Sequence, residues 1–277
     1  MSHPYFFISR ENISGSFIEL LGDDLKHLSQ VLRARPGDKV EISDNCQYRY
    51  DTEIIEIKKN SAQLKIIGKS EIIKSPIEVY LFQCMLKRSS MELVIQKAAE
   101  TGLNAVVPVE SSRVAVFETK EKKKLLRWQK IALEASKQSK SNFKCEVLSE
   151  LSLKDIDPKK FDVFYMPYEE TDPKEIKKKN IVTSLGEILK ERIERQKNTS
   201  VFSDTTDYPK VNESDTSAEN SLKIGFIIGP EGGFEESEAM FLAGKGAVML
   251  SLGSNILKAE TAAIFMSSII KYVLEIY

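Results

Sequence analysis

Three glycines and a proline fall within five residues, Gly229-Pro230-Glu231-Gly232-Gly233. Such a run turns the backbone tightly and brings main-chain N–H and C=O groups close to whatever lies beside it. About twenty residues on, Ser251-Leu252-Gly253-Ser254-Asn255 makes a second loop of mostly small residues, followed by Ile256-Leu257-Lys258. Neither loop is a nucleotide fingerprint. GPEGG is not G-x-G-x-x-G, and no lysine follows the glycines as a phosphate loop requires. Glu231 and Glu260 could accept a proton there, or could cap a helix. Lys258 could donate to developing negative charge, or could pair with a neighbour where the last helix begins.

The elements around these loops are legible from apolar patterning. Ile224 to Ile228 reads as a short strand buried on both faces, and Ala247 to Leu250 as a second. Glu235-Glu236-Ser237-Glu238 is acidic like a first helical turn. Ile256 to Tyr277 is largely helical in pattern. Both loops therefore leave the carboxyl ends of parallel strands, the edge of an open α/β sheet where ligands bind.

IGPEGGF followed by SLG-x-x-IL-K-x-ETA resembles the RsmE family of SPOUT methyltransferases. The family uses S-adenosylmethionine to methylate N3 of a uridine in small-subunit (16S) ribosomal RNA. The resemblance implies a knotted C-terminal α/β domain in which three loops wrap the cofactor. The matching positions are Met166 and Pro167; Gly229, Pro230, Glu231 and Gly232; and Ser251, Leu252, Gly253, Ile256 and Leu257. It also makes Lys258, Glu231 and Arg113 candidates for catalysis. The family carries arginine where this chain has Lys258.

Residues 1–72 are rich in alternating, strand-like segments, with a helix over Asp23 to Leu32 that places Leu25, Leu28 and Leu32 on one face. A small barrel fits them. HLSQVLRARPGDKVEISD resembles the PUA-like RNA-binding domain that opens RsmE proteins, so Arg33 and Arg35 are expected at the RNA, with His27 facing or flanking it. Glu71 to Pro76 reads as the boundary, and residues 73–277 as the methyltransferase domain. Within it QKAAETGL, with SSR after the next strand, matches family signatures that bring Lys97, Glu100 and Arg113 toward the cleft. As bare residues Lys97 and Glu100 read equally as a surface pair. The basic helix Glu121 to Lys140 ends in EASKQSKSNFK, where an arginine of the family is missing and Lys140 is the nearest cation. On the resemblance Lys97 and Lys140 are expected to bind RNA. Pro167-Tyr168-Glu169 resembles the family's third cofactor loop.

The chain has 277 residues, 42% hydrophobic and 29% charged, and reads as globular with no membrane span and no signal peptide. Its net charge of −1 is unlike an RNA enzyme, but the charge is segregated. Thr119 to Lys144 holds nine Lys and Arg against two Glu, and Asn198 to Asn220 holds five acids against one lysine. A local basic patch can bind phosphate at near-zero net charge. The acidic stretch reads as a polar, mobile insertion. Three scattered cysteines, with no zinc pattern, suit a reducing, cytoplasmic setting. The last helix carries apolar residues on more than one face, which with the resemblance implies a homodimer packed through it. Two alternatives remain at this stage. A Rossmann-like oxidoreductase would need glycines after the first sheet strand, where Leu86-Lys87-Arg88-Ser89-Ser90 stands instead. A PUA-like RNA-binding protein with an inactive transferase half is compatible with the two lost arginines.

Overall fold

The computed structural model describes residues 3–112, 121–168, 181–200 and 221–276. The N-terminal half is a six-stranded sheet: β1 (Tyr5–Phe7), β2 (Ile13–Ser14), β3 (Phe17–Leu20), β4 (Lys39–Ser43), β5 (Tyr48–Ile57) and β6 (Ala62–Glu71). Its order is β1-β4-β5-β6-β3-β2, with β1 parallel to β4 and every other pair antiparallel. Alternation sets the faces. In β3, Phe17 and Glu19 point out while Ile18 and Leu20 join a core with Phe6, Val40, Ile42, Ile54 and Leu64.

One helical expectation changes. The helix α1 (Gly22–Lys26) widens at once into a single π turn over His27–Val31, closed by Leu32 N–H donating to the His27 carbonyl at 3.0 Å. Five-residue hydrogen bonding adds a residue to the turn. Leu25 and Leu28 therefore stay buried while Leu32 swings outward and is exposed.

The C-terminal half begins with β7 (Ile77–Cys84) after a short connection. It continues through α2 (Arg88–Glu100), β8 (Ala105–Glu110), α3 (Glu121–Gln138), β9 (Glu146–Val147) and β10 (Leu151–Ser152). Then come β11 (Val163–Pro167), α4 (Ile181–Ser200), β12 (Leu222–Ile228), α5 (Glu236–Gly244), β13 (Val248–Leu250) and α6 (Ala259–Ile276). The sheet order is β10-β8-β7-β12-β11-β13, with β9 also on β8, and all pairs are parallel. Both faces are covered, as a parallel sheet requires. Met91, Trp128, Leu185 and Met266 bring α2, α3, α4 and α6 onto one face, and Ala239 and Leu242 bring α5 onto the other. In α2, Leu93 is exposed while Met91, Val94 and Ile95 are buried. The acidic stretch starts inside α4, which holds 198–200, and its remainder, 201–220, lies outside the described residues. Among the described residues, no helix is long and apolar enough to cross a membrane.

Gly225 fixes the centre of the sheet. A Cβ there would stand 2.4 Å from the ring of Phe164, its paired residue on β11, so glycine leaves the room that this ring occupies on the sheet face.

Candidate active site

The carboxyl ends of β12, β11 and β13 lie side by side. Tyr165 pairs with both Phe226 and Val248, and Pro167 pairs with Leu250. Three loops therefore start from adjacent points. The first, Gly229 to Gly233, closes a turn in which Gly233 N–H donates to the Pro230 carbonyl at 3.0 Å. The second leaves β11 at Tyr168, whose N–H donates to the Leu250 carbonyl at 3.0 Å. The third, Ser251 to Lys258, is shaped by the Ser251 hydroxyl, 3.0 Å from the Gly253 carbonyl. Gly253 has φ +127°, which an L side chain rarely adopts.

Charged groups frame these loops. Lys258 sits just before α6, and its carbonyl accepts from Ala262 N–H at 2.8 Å. Its side chain is exposed and makes no hydrogen bond or ion pair among the described residues. Glu260 lies in the first turn of α6. Glu231 Oε1 accepts from Lys87 N–H at 3.0 Å, and Lys87 is the N-cap of α2. Glu231 thus fastens the glycine loop to the start of a different helix from the one that follows it. On the far side, Glu235 and Glu238 form the capping box of α5, and Glu238 Oε1 also accepts from Ser112 N–H at 2.7 Å. That bond ties the exit of β8 to α5. Arg113, the next residue, lies outside the described residues, as does Glu169.

Gln83 escaped the sequence reading. Its side chain is fully buried at the end of β7, directly paired with Ile228. Nε2 donates to the Cys84 carbonyl at 3.0 Å and reaches the Ile228 carbonyl at 3.4 Å, while Oε1 has no partner among the described residues. A lone amide inside the run Val79 to Cys84 was the available signal. Beside it, burial pushes the Cys84 thiol far up, against a smaller lowering effect of the Ser111 hydroxyl, so this cysteine stays protonated and inert.

The RNA methyltransferase domain model matches residues 73–191 and 177–271, and the RNA methyltransferase PUA domain model matches residues 20–67. Ribosomal RNA small subunit methyltransferase E of Bacillus subtilis is 29% identical over 262 residues, covering 93% of this chain and 90% of that protein. Its counterpart E 2 in Borreliella burgdorferi is 28% identical over 270 residues, covering 96% and 95%. The chain belongs to the RsmE family of RNA methyltransferases. Solved structures agree in fold. A Legionella pneumophila protein described as a methyltransferase, with bound S-adenosylmethionine, superposes with a TM-score of 0.74 at 25% identity, covering 98% of each chain. The Neisseria gonorrhoeae small subunit methyltransferase E superposes with a TM-score of 0.72 at 23% identity, again covering 98% of each.

The RsmE pattern places its residues unevenly here. Met166 is fully buried against the α5 face and can offer only backbone to a ligand, and Pro167 is half-buried. Gly232, Ser251, Gly253 and Ile256 are exposed, Gly229, Leu252 and Leu257 are half-buried, and Pro230 is buried. Arg33, at φ +54°, and Arg35 are both exposed on the N-terminal half. Lys97 pairs with Glu100 at 2.7 Å, the surface-pair alternative of the sequence reading. Lys140 does not reach into open solvent: its ammonium is taken by Glu41 of β4. The basic run is consumed elsewhere too. Arg127 grips both carboxylate oxygens of Glu92 at 2.6 and 2.9 Å, and Lys137 is buried between Asp24 and Glu134.

Proposed function

We propose that this chain transfers a methyl group from S-adenosylmethionine to N3 of a uridine in 16S ribosomal RNA of the small subunit. The observation that carries the reading is family membership over both halves of the chain, with glycine-rich loops at the ligand edge of the parallel sheet. RNA is the substrate class of that family, and the PUA half supplies the grip on it.

The residues present fit the cofactor. Leu252, Ile256 and Leu257 carry backbone N–H and C=O groups that bond to nothing among the described residues, and buried Gln83 Oε1 is an orphan acceptor under the glycine loop. Unmet groups of this kind are what a polar purine and ribose need. Met166, Pro167, Gly229, Pro230, Glu231, Gly232, Ser251, Leu252, Gly253, Ile256 and Leu257 would hold it. When bound, S-adenosylmethionine supplies an electrophilic methyl on a sulfonium. The chain then has to orient the uridine, take the proton from N3 and stabilise the charge left on the ring oxygens. Lys258 is assigned to that charge, with Arg113 as a second cation. Glu231 is assigned to the proton: Oε1 is engaged by Lys87 N–H, and Oε2 has no partner among the described residues. Arg33, Arg35, Lys97 and Lys140 are the sequence candidates for phosphate, and the exposed Arg33 and Arg35 are the two that suit it best.

The finer architecture belongs to the same proposal. Residues 1–72 close into a PUA-like barrel, and residues 73–277 form a SPOUT domain with a trefoil knot. The strand order supports the knot: β13 lies at the sheet edge beyond β11, yet α6 returns across to pack on α2, α4, β7 and β12. The protein works in the cytoplasm as a homodimer through α6.

The test is nucleoside mass spectrometry of 16S RNA from cells lacking this protein. Expected is loss of one 3-methyluridine, restored when small subunits from those cells receive the purified chain and S-adenosylmethionine. Persistence of the modification in those cells would refute the assignment.

A further inference from the structure

The end of α3 is built onto the N-terminal half by side chains of opposite charge. Lys137, 8% exposed, places Nζ 2.6 Å from Asp24 Oδ1 and 2.9 Å from Glu134 Oε1, and 5.5 Å from the Phe6 ring centre. Lys140 binds Glu41, which Arg49 of β5 also binds, and Arg49 lies over the Tyr5 ring. Neutral contacts surround these pairs. The Tyr5 hydroxyl donates to the Ser141 carbonyl at 2.7 Å, Ser43 Oγ donates to the Asn142 carbonyl at 2.9 Å, and Lys144 N–H donates to Asn45 Oδ1 at 2.8 Å.

The backbone under Lys140 is telling. Ser141 N–H donates to the Ser136 carbonyl and Lys140 N–H to the Lys137 carbonyl, the paired bonds of a Schellman helix end. The residue at the left-handed position of that motif is ordinarily glycine, yet here it is Lys140 at φ +52°. A glycine would end the helix at lower conformational cost. Lysine is what reaches Glu41.

We propose that Lys137 and Lys140 are positioning residues that lock the two halves together, so that RNA gripped by the N-terminal half is presented to the sheet-edge loops at a fixed distance and angle. This rests on the reading that one RNA spans both halves. Placement is a large component of such a reaction, and a misplacement of about 1 Å costs on the order of 10²-fold.

The test compares Lys140→Gly, Lys137→Met and Glu41→Gln in the full chain. Readouts are KM for small subunits, S-adenosylmethionine affinity by calorimetry, melting temperature, and small-angle scattering of the free protein. Lys140→Gly keeps the turn and loses the Glu41 pair, so its melting temperature should fall only slightly. Its KM for subunits should rise about tenfold with cofactor affinity unchanged, and its scattering should broaden; Glu41→Gln, which leaves the lysine in place, should do the same. An unchanged KM and scattering profile in all three variants overturns the lock. A raised KM in Lys140→Gly that Glu41→Gln does not share also overturns it, because the lysine would then be touching phosphate directly. Inactivity of the unmodified chain on subunits counts against the methyltransferase reading instead, and scattering still decides the lock.

Discussion

A side chain that meets charge developing in the transition state speeds methyl transfer. Lys258 is suited to that because its ammonium is exposed, unpaired among the described residues, and placed where α6 starts. Lys258→Ala should lower the single-turnover methylation rate on the order of 10²-fold, as loss of one oxyanion-type donor does, with cofactor affinity barely changed. Lys258→Arg should keep or raise the rate, since a guanidinium can donate two parallel hydrogen bonds. Full activity of the alanine variant at saturating RNA would move the role to Arg113. Glu231 needs a different comparison because one oxygen already holds Lys87 N–H. Glu231→Gln keeps that acceptor and loses the basic oxygen, so the rate should fall while the melting temperature holds. Glu231→Ala should also destabilise the fold by about 1 kcal/mol, the usual loss at a helix N-terminus. Equal rates for the glutamine variant and the unaltered chain would leave Glu231 a purely structural residue.

At the scale of elements, Gly225 has the least room for a side chain among the described glycines, and Gly225→Ala should cost about 1–3 kcal/mol through overpacking against Phe164, read by chemical denaturation. An unchanged midpoint would mean that the ring moves aside freely. The strands around it were legible as short apolar runs: Ile224 to Ile228 lies inside β12, and Ala247 to Leu250 covers β13. The acidic first turn of α5 was legible too, from the run of acids over Glu235 to Glu238. The π turn at His27–Val31 was not, because one extra residue per turn leaves no mark on an apolar pattern until Leu32 is seen facing out. Charge patterning is silent about partners in a similar way. Nine cations in one stretch read as a phosphate patch, but spacing cannot say that Arg127 faces Glu92, 35 residues earlier, or that Lys140 faces Glu41, 99 residues earlier. The loops of the site were found from their glycines, whereas buried Gln83 was passed over as part of a strand.

The whole molecule depends on two interfaces, one within the chain and one proposed between copies. The inner one responds to pH only toward the acid and alkaline extremes. Burial would raise the pKa of Glu41, but hydrogen bonds from Lys140 and Arg49 outweigh it and hold the carboxyl below its ordinary value. Its contribution is therefore complete above the ordinary carboxylate pKa and is lost as pH falls through the lowered one. Burial would lower the pKa of Lys137, but Asp24 and then Glu134 outweigh that and raise it, so its contribution is complete below the ordinary lysine pKa and lost as pH rises through the raised one. The junction should be insensitive to pH through neutrality, and in acid the melting-temperature gap between the unaltered chain and Lys140→Gly should close. A gap that stays constant into strong acid would remove Glu41 from the account. The proposed outer interface would use α6. Ala263, Met266, Ile270 and Val273 face the core, while Phe265 (42% exposed) and Tyr272 (67% exposed), seven residues apart, lie along one outward stripe with half-buried Ile269 between them. Two aromatic rings along one outer stripe of a helix make an apolar face, and a two-fold axis would let each copy cover the same stripe of the other. Phe265→Glu with Tyr272→Glu should give monomers in sedimentation equilibrium at concentrations where the unaltered chain is dimeric. Because neither side chain contributes to the buried core, the helical circular dichroism should be retained. A monomeric unaltered chain that methylates small subunits at full rate would remove the dimer from the mechanism and leave that stripe without a role.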